Sequence, residues 1–144
     1  MINIRVEYLL DKNIDDVFAA ISDHENYRRY PGFTDSRLLE PGHTERNGEG
    51  ALRLLTAGRA SFRERITRFE KPHRMDYHVE EMKPFNLPHE RGEITLEAQG
   101  GRTKVVWISD SRLNIPILGV PLAKLMERRA SRAFLGILKY IEKH

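Results

Sequence analysis

The C-terminal segment of the chain switches to an apolar period near 3.6 residues, and this feature constrains the fold more than any other. One half of its helical wheel is apolar and comprises Leu118, Leu122, Leu125, Met126, Ala130, Ala133, Phe134, Ile137, Tyr140 and Ile141. The other half is mostly charged, so the segment predicts an amphipathic helix. Either Pro116 or Pro121 suits its first position, and it ends near Lys143. At about 1.5 Å per residue it is roughly 35 Å long, enough to cross a sheet.

The N-terminal third predicts one strand and two short helices. Residues 2–10 alternate apolar and polar side chains, which is typical of a half-buried strand. Asn13 stands at an N-cap position before an apolar helical stretch that includes Phe18. A second short helical piece covers 24–30 and ends at Pro31-Gly32, since proline and glycine in succession break regular structure.

The middle of the chain predicts strands joined by short turns. Gly58-Arg59 and Gly100-Gly101 are two-residue hairpin turns, and residues 71–73 form another turn. The proline-rich stretch 84–88 is a connecting loop. Short turns imply antiparallel neighbours. The pattern therefore predicts an α+β fold in one domain, 1–144, with a sheet that buries one face against the terminal helix.

Composition excludes several functional classes. The 144 residues contain no cysteine. The net charge is only +3, which is too small to indicate a nucleic-acid binder. The exposed cluster Arg128, Arg129 and Arg132 is expected to be solvated. No HExxH, GxSxG or P-loop pattern is present, so we expect no metal and no cofactor. The chain has no apolar run of membrane length, and its start lacks a signal-peptide core, so we expect a cytoplasmic protein without stable membrane insertion.

Four segments occur in the order of a known family. Residues 15–23 resemble its opening x-x-V-[FW]-x-x-[IL]-[ST]-D helix, and residues 26–33 resemble its Y-x-x-[WY]-x-P-x-[FV] step. Residues 64–77 are similar to its E-x-I-[TV]…P-P-x-x-[LM]-x-Y hairpin, and residues 100–107 to its G-G-T-x-[VL]-x-[WV] strand. The chain therefore resembles the Bet v 1-like/START-related (SRPBCC) superfamily, and within it the bacterial polyketide cyclase/dehydrase-like lipid-binding proteins. The resemblance implies the helix-grip fold: a curved, seven-stranded antiparallel sheet around the long C-terminal helix, with two short helices after the first strand.

The same resemblance implies an internal, mostly apolar cavity. Strand parity, the helical wheel and, for Trp107 alone, the family pattern give the ligand-binding candidates, which are Leu52, Leu54, Phe62, Glu64, Tyr77, Val79, Ile94, Trp107, Leu122, Met126 and Arg129. Glu64 and Arg129 are the charged members. They either pair with each other or a shared ligand, or Glu64 lies near the rim while Arg129 extends to solvent.

Three functions stay open. The first is binding or transport of a small hydrophobic ligand such as a lipid, isoprenoid, polyketide or aromatic metabolite. The second is a metal-free cyclase or dehydratase in which Tyr77, Glu64 and Arg129 move protons. The third is a protein-interaction module with a vestigial cavity. We expect the first, and no turnover.

Overall fold

The computed structural model of the chain describes residues 1–113, 115–116 and 118–144. Its elements follow the predicted order: β1 (Ile2–Leu10), α1 (Ile14–Ile21), a 3₁₀ helix (His24–Arg29), β2 (Asp35–Glu40), β3 (Leu52–Ala57), β4 (Ala60–Glu70), β5 (Arg74–Lys83), β6 (His89–Gln99), β7 (Arg102–Ser111) and α2 (Gly119–Lys143). The Asn13 side chain accepts a hydrogen bond from the backbone N–H of Asp16 and caps α1, as its sequence position predicts.

The seven strands form one antiparallel sheet in the order β1-β7-β6-β5-β4-β3-β2. Consecutive strands from β2 to β7 are neighbours, and short turns connect β3 to β4, β4 to β5 and β6 to β7. The turn at Gly58, which has a φ of +60°, closes the β3–β4 hairpin and pairs Ala57 with Ala60. The expected helix-grip architecture is therefore confirmed.

The long helix α2 begins between the two prolines considered from sequence, and Ile117, which a start at Pro116 would include, lies outside the described residues. The Glu127 carboxylate accepts from the backbone N–H of Asn3 at 2.7 Å, and near the other end Glu142 accepts from the Tyr8 hydroxyl at 2.7 Å. These contacts fix α2 along the edge strand β1. No helix in the described part of the chain is long and apolar enough to cross a membrane.

Strands β5 and β6 separate along part of their length. Their pairing is confined to the segment where Arg74, Met75 and Asp76 face β6. Gly92 lies where the strands begin to part, and a Cβ there would come within 2.5 Å of the Tyr77 carbonyl oxygen. Glycine therefore permits the close approach, and beyond it the sheet opens around the side chain of His89.

Candidate functional site

A cavity of about 230 Å³ lies between the inner face of the sheet and α2. Its lining includes six of the predicted residues, which are Phe62, Glu64, Tyr77, Val79, Trp107 and Met126. The helix side is formed by apolar side chains only, whereas the sheet side carries every charged group of the lining. Parity thus predicted the inward face of β4 and β5 correctly, and the family pattern did so for Trp107 on β7.

The inward placement of Leu52 and Leu54 is wrong. On β3 the residues that line the cavity are Arg53, Leu55 and Ala57, so the even-numbered positions point to the other face. Apolar side chains occupy both faces of this strand, and periodicity alone therefore favoured the wrong one.

Three further candidates lie outside the cavity lining. Ile94 is fully buried in the core, and Leu122 on α2 is half-buried. Arg129 is exposed, so the proposed pair between Arg129 and Glu64 is also wrong. The rim alternative for Glu64 is wrong as well, because this residue is only 7 % exposed.

Arg53 is the partner of Glu64. The two residues face each other across the β3–β4 hairpin. Arg53 donates from Nη2 at 2.7 Å and from Nε at 3.0 Å, and both bonds end on Glu64 Oε1. The side chains are 1 % and 10 % exposed, respectively, so this is a buried ion pair. Burial alone would lower the pKa of Arg53, but Tyr27 and Glu64 beside it raise that pKa overall.

The 3₁₀ helix supplies a second set of contacts that holds the Arg53 guanidinium. His24 donates from Nε2 to the Asn47 carbonyl at 2.8 Å, which leaves Nδ1 to accept from Arg53 Nη1 at 3.2 Å. The guanidinium carbon also lies 4.6 Å from the centre of the Tyr27 ring. Burial, followed by the Arg53 charge, lowers the pKa of His24 to about 3, so the imidazole stays neutral at neutral pH.

Tyr77 and Trp107 form the adjoining part of the wall. The Trp107 indole N–H donates to the Tyr77 hydroxyl at 2.8 Å. The indole also stacks on Phe134 of α2, with ring centres 4.1 Å apart and planes 8° from parallel. Burial and the negative charge of Glu64 raise the pKa of Tyr77. Its phenol is therefore a neutral hydrogen-bonding group and a weak proton donor.

His89 fills the opening between β5 and β6. Its Nδ1 accepts from the backbone N–H of Val79 at 3.1 Å, so the proton is on Nε2, which lies 3.2 Å from Ser109 Oγ. The ring also stacks on Tyr77, with centres 5.6 Å apart. Burial and the nearby His78 lower the pKa of His89 to about 4. The imidazole thus replaces a missing strand-to-strand hydrogen bond and adds a polar edge to the cavity.

The sequence analysis missed Arg53, His24, His89 and Ser109. Arg53 was detectable, because the predicted turn at Gly58-Arg59 sets it opposite Glu64. Among the described residues, no group of three or more His, Cys, Asp or Glu side chains is arranged to hold a metal ion.

A protein-family model matches nearly the whole chain. Residues 1–141 match the family model described as polyketide cyclase / dehydrase and lipid transport. The chain belongs to this family. No curated protein matches it significantly.

Several solved structures share the fold of this chain. A START superfamily protein from Mycobacterium smegmatis is 12 % identical with a TM-score of 0.72, covering 98 % of this chain and 97 % of the other. The Zhui aromatase/cyclase from Streptomyces sp. R1128 is 14 % identical with a TM-score of 0.74, covering 98 % and 91 %. Ara h 8.0201 is 16 % identical with a TM-score of 0.71, covering 99 % and 98 %. At such identities the likeness shows that this family member has the same fold as these three proteins.

Proposed function

We propose that this protein binds a small hydrophobic molecule in the cavity between the sheet and α2 and acts as a binder or carrier. The observation that carries the proposal is the cavity itself, which is walled mainly by apolar side chains and has one adjoining set of polar groups. Such a combination is typical of small-molecule sites, in which apolar walls supply affinity and a few polar atoms fix orientation. We also propose, from the sequence, that it does so in the cytoplasm.

The size of the cavity limits the ligand. Pockets for drug-sized molecules are about 300–1,000 Å³, and the cavity here is about 230 Å³. A bicyclic or tricyclic aromatic, a medium-length lipid or a short isoprenoid is therefore a better candidate than a long diacyl lipid.

A neutral fluorescent probe tests this proposal. N-phenyl-1-naphthylamine should bind with increased emission, and decan-1-ol should displace it. Val79→Phe fills the cavity and should weaken binding at least about tenfold, which corresponds to about 1.4 kcal/mol. Val106→Phe is the matched control, because Val106 lies on β7 outside the cavity lining.

The outcomes of this test separate the alternatives. The proposal is wrong if the folded wild type binds neither molecule, and a protein-interaction module would then be favoured. Equal binding by the wild type and both variants would mean that the probe sits elsewhere on the surface.

A cyclase or dehydratase is the second candidate, because Glu64, Tyr77 and His89 all border one cavity. Proton transfer by Tyr77 would require Tyr77→Phe to slow turnover of a polyketide-type substrate at least about tenfold. Two features favour the carrier instead. Both ring nitrogens of His89 are engaged within the protein, and the pKa of Tyr77 is raised.

A further inference from the structure

The charges that border the cavity cancel. Arg53 and Glu64 contribute one positive and one negative charge, while His89 and Tyr77 are neutral at neutral pH. The remaining cavity-lining residues are apolar or carry hydroxyl groups. A ligand therefore meets no net positive charge there.

The Arg53 guanidinium is engaged within the protein through three of its five N–H groups, and its side chain is only 1 % exposed. All three nitrogens of the Arg53 guanidinium donate, two to Glu64 Oε1 and the third to His24. A carboxylate has two acceptor oxygens. Within the part of the chain that the structure describes, both bonds to Glu64 end on Oε1. Since Glu64 lines the cavity, Oε2 is the acceptor that a ligand can use.

From this arrangement we propose that the ligand is uncharged and carries a hydroxyl or phenol group, which donates a hydrogen bond to Glu64 Oε2, and that carboxylate ligands are rejected. The proposal rests on the proposed ligand-binding function and deepens it. Glu64 is the residue that selects the ligand's functional group, because an ionised carboxylate can only accept hydrogen bonds. The hydroxyls of Tyr77 and Ser109 both donate and accept, so they serve either kind of ligand.

The physical reason for rejecting anions is desolvation. A ligand carboxylate entering the cavity loses its water and lies near the like charge of Glu64. The buried guanidinium of Arg53 offers little compensation, because each of its three nitrogens already donates within the protein. A hydroxyl group loses less on leaving water and regains one hydrogen bond to an ionised acceptor, which is stronger than a neutral one.

Three decyl compounds of matched length test the proposal on the unmodified protein. They are decan-1-ol, which is neutral and donates; decyl methyl ether, which is neutral and only accepts; and decanoate, which is ionised at pH 8. All three are optically silent, and the single tryptophan, Trp107, borders the cavity, so its emission reports binding directly. Decan-1-ol should bind at least about tenfold more tightly than decanoate, with the ether in between.

Two variants identify the group responsible. Glu64→Gln removes the charge and should raise decanoate affinity at least about tenfold relative to decan-1-ol. Glu80→Gln is the matched control, because it neutralises a more exposed carboxylate of β5 that pairs with Arg65 and lies outside the cavity lining. It should leave the preference unchanged.

Each result has one meaning. Decanoate binding as tightly as decan-1-ol overturns this inference while leaving the proposed function intact. Absence of binding by all three compounds, and by the naphthylamine probe, overturns the proposed function itself. If Glu64→Gln does not fold, the comparison of the three ligands on the wild type still decides the question.

Discussion

Breaking the Arg53–Glu64 pair should destabilise the protein far more than breaking an exposed pair on the same sheet. The nearest nitrogen and oxygen are 2.7 Å apart, and Arg53 is 1 % exposed. At an effective dielectric constant of about 20, two unit charges about 4 Å apart attract by about 4 kcal/mol. Removing one partner of such a pair typically costs about 3–5 kcal/mol, because the other charge is left buried and unpaired.

The two single substitutions should not be equal. Glu64→Gln leaves a guanidinium that cannot lose its proton, so we expect a loss near the upper end of that range. Arg53→Met leaves a carboxyl group that can take up a proton, so its cost should lie near about 3 kcal/mol. The double variant should be less destabilised than the sum of the singles by at least about 2 kcal/mol.

Urea unfolding measures these quantities, with Trp107 fluorescence and far-ultraviolet circular dichroism as probes. Arg65→Met, Glu80→Gln and their double variant form the control cycle, since that pair is 3.2 Å apart but about one-third exposed. Its coupling should be at most about 1 kcal/mol. A loss below about 1 kcal/mol for Glu64→Gln, with an unchanged denaturant slope, would refute the buried-pair argument.

Two further results are expected. Burial depresses the pKa of His24 to about 3 and that of His89 to about 4, so below the unfolded pKa of about 6.5 the unfolded state binds more protons than the folded state. The unfolding free energy should therefore fall by about 2 kcal/mol for each histidine between pH 7.5 and pH 5. In urea titrations at several pH values, His89→Gln should remove the His89 contribution to this fall; no change would mean that the ring is already charged in the folded protein. Phe134→Ala should lower the unfolding free energy by about 3 kcal/mol, which is the low end for such a truncation because Phe134 is half-buried. The substitution should also shift Trp107 emission to the red, since it removes the ring that stacks on the indole. An unchanged spectrum would contradict the stacking.

Much of the fold was predictable because local signals agreed. The period change at α2, the Asn13 cap and the turns at Gly58-Arg59 and Gly100-Gly101 each point to the same architecture. Counting outward from the Gly58-Arg59 turn also pairs Arg53 with Glu64, so the ion pair was accessible from the sequence once the hairpin was assigned.

The rest of the site depended on irregular features that periodicity does not encode. On β3, Leu52, Leu54 and Leu55 put apolar side chains on both faces, and only the cavity distinguishes them. His89 lies next to a register shift between His89 and Arg91, so parity counted along β6 does not reach it. Its position between two separated strands is a tertiary property.

The two walls of the cavity differ in chemistry. The helix contributes only apolar side chains, such as Met126 and Ala130, whereas the charged groups belong to the sheet, where His24 and Tyr27 of the 3₁₀ helix hold Arg53 in place. The Arg53–Glu64 pair is thus held by contacts that do not involve α2. It follows that substitutions on α2 should change the size of ligand that fits, while substitutions of Arg53 or Glu64 should change which functional group is accepted.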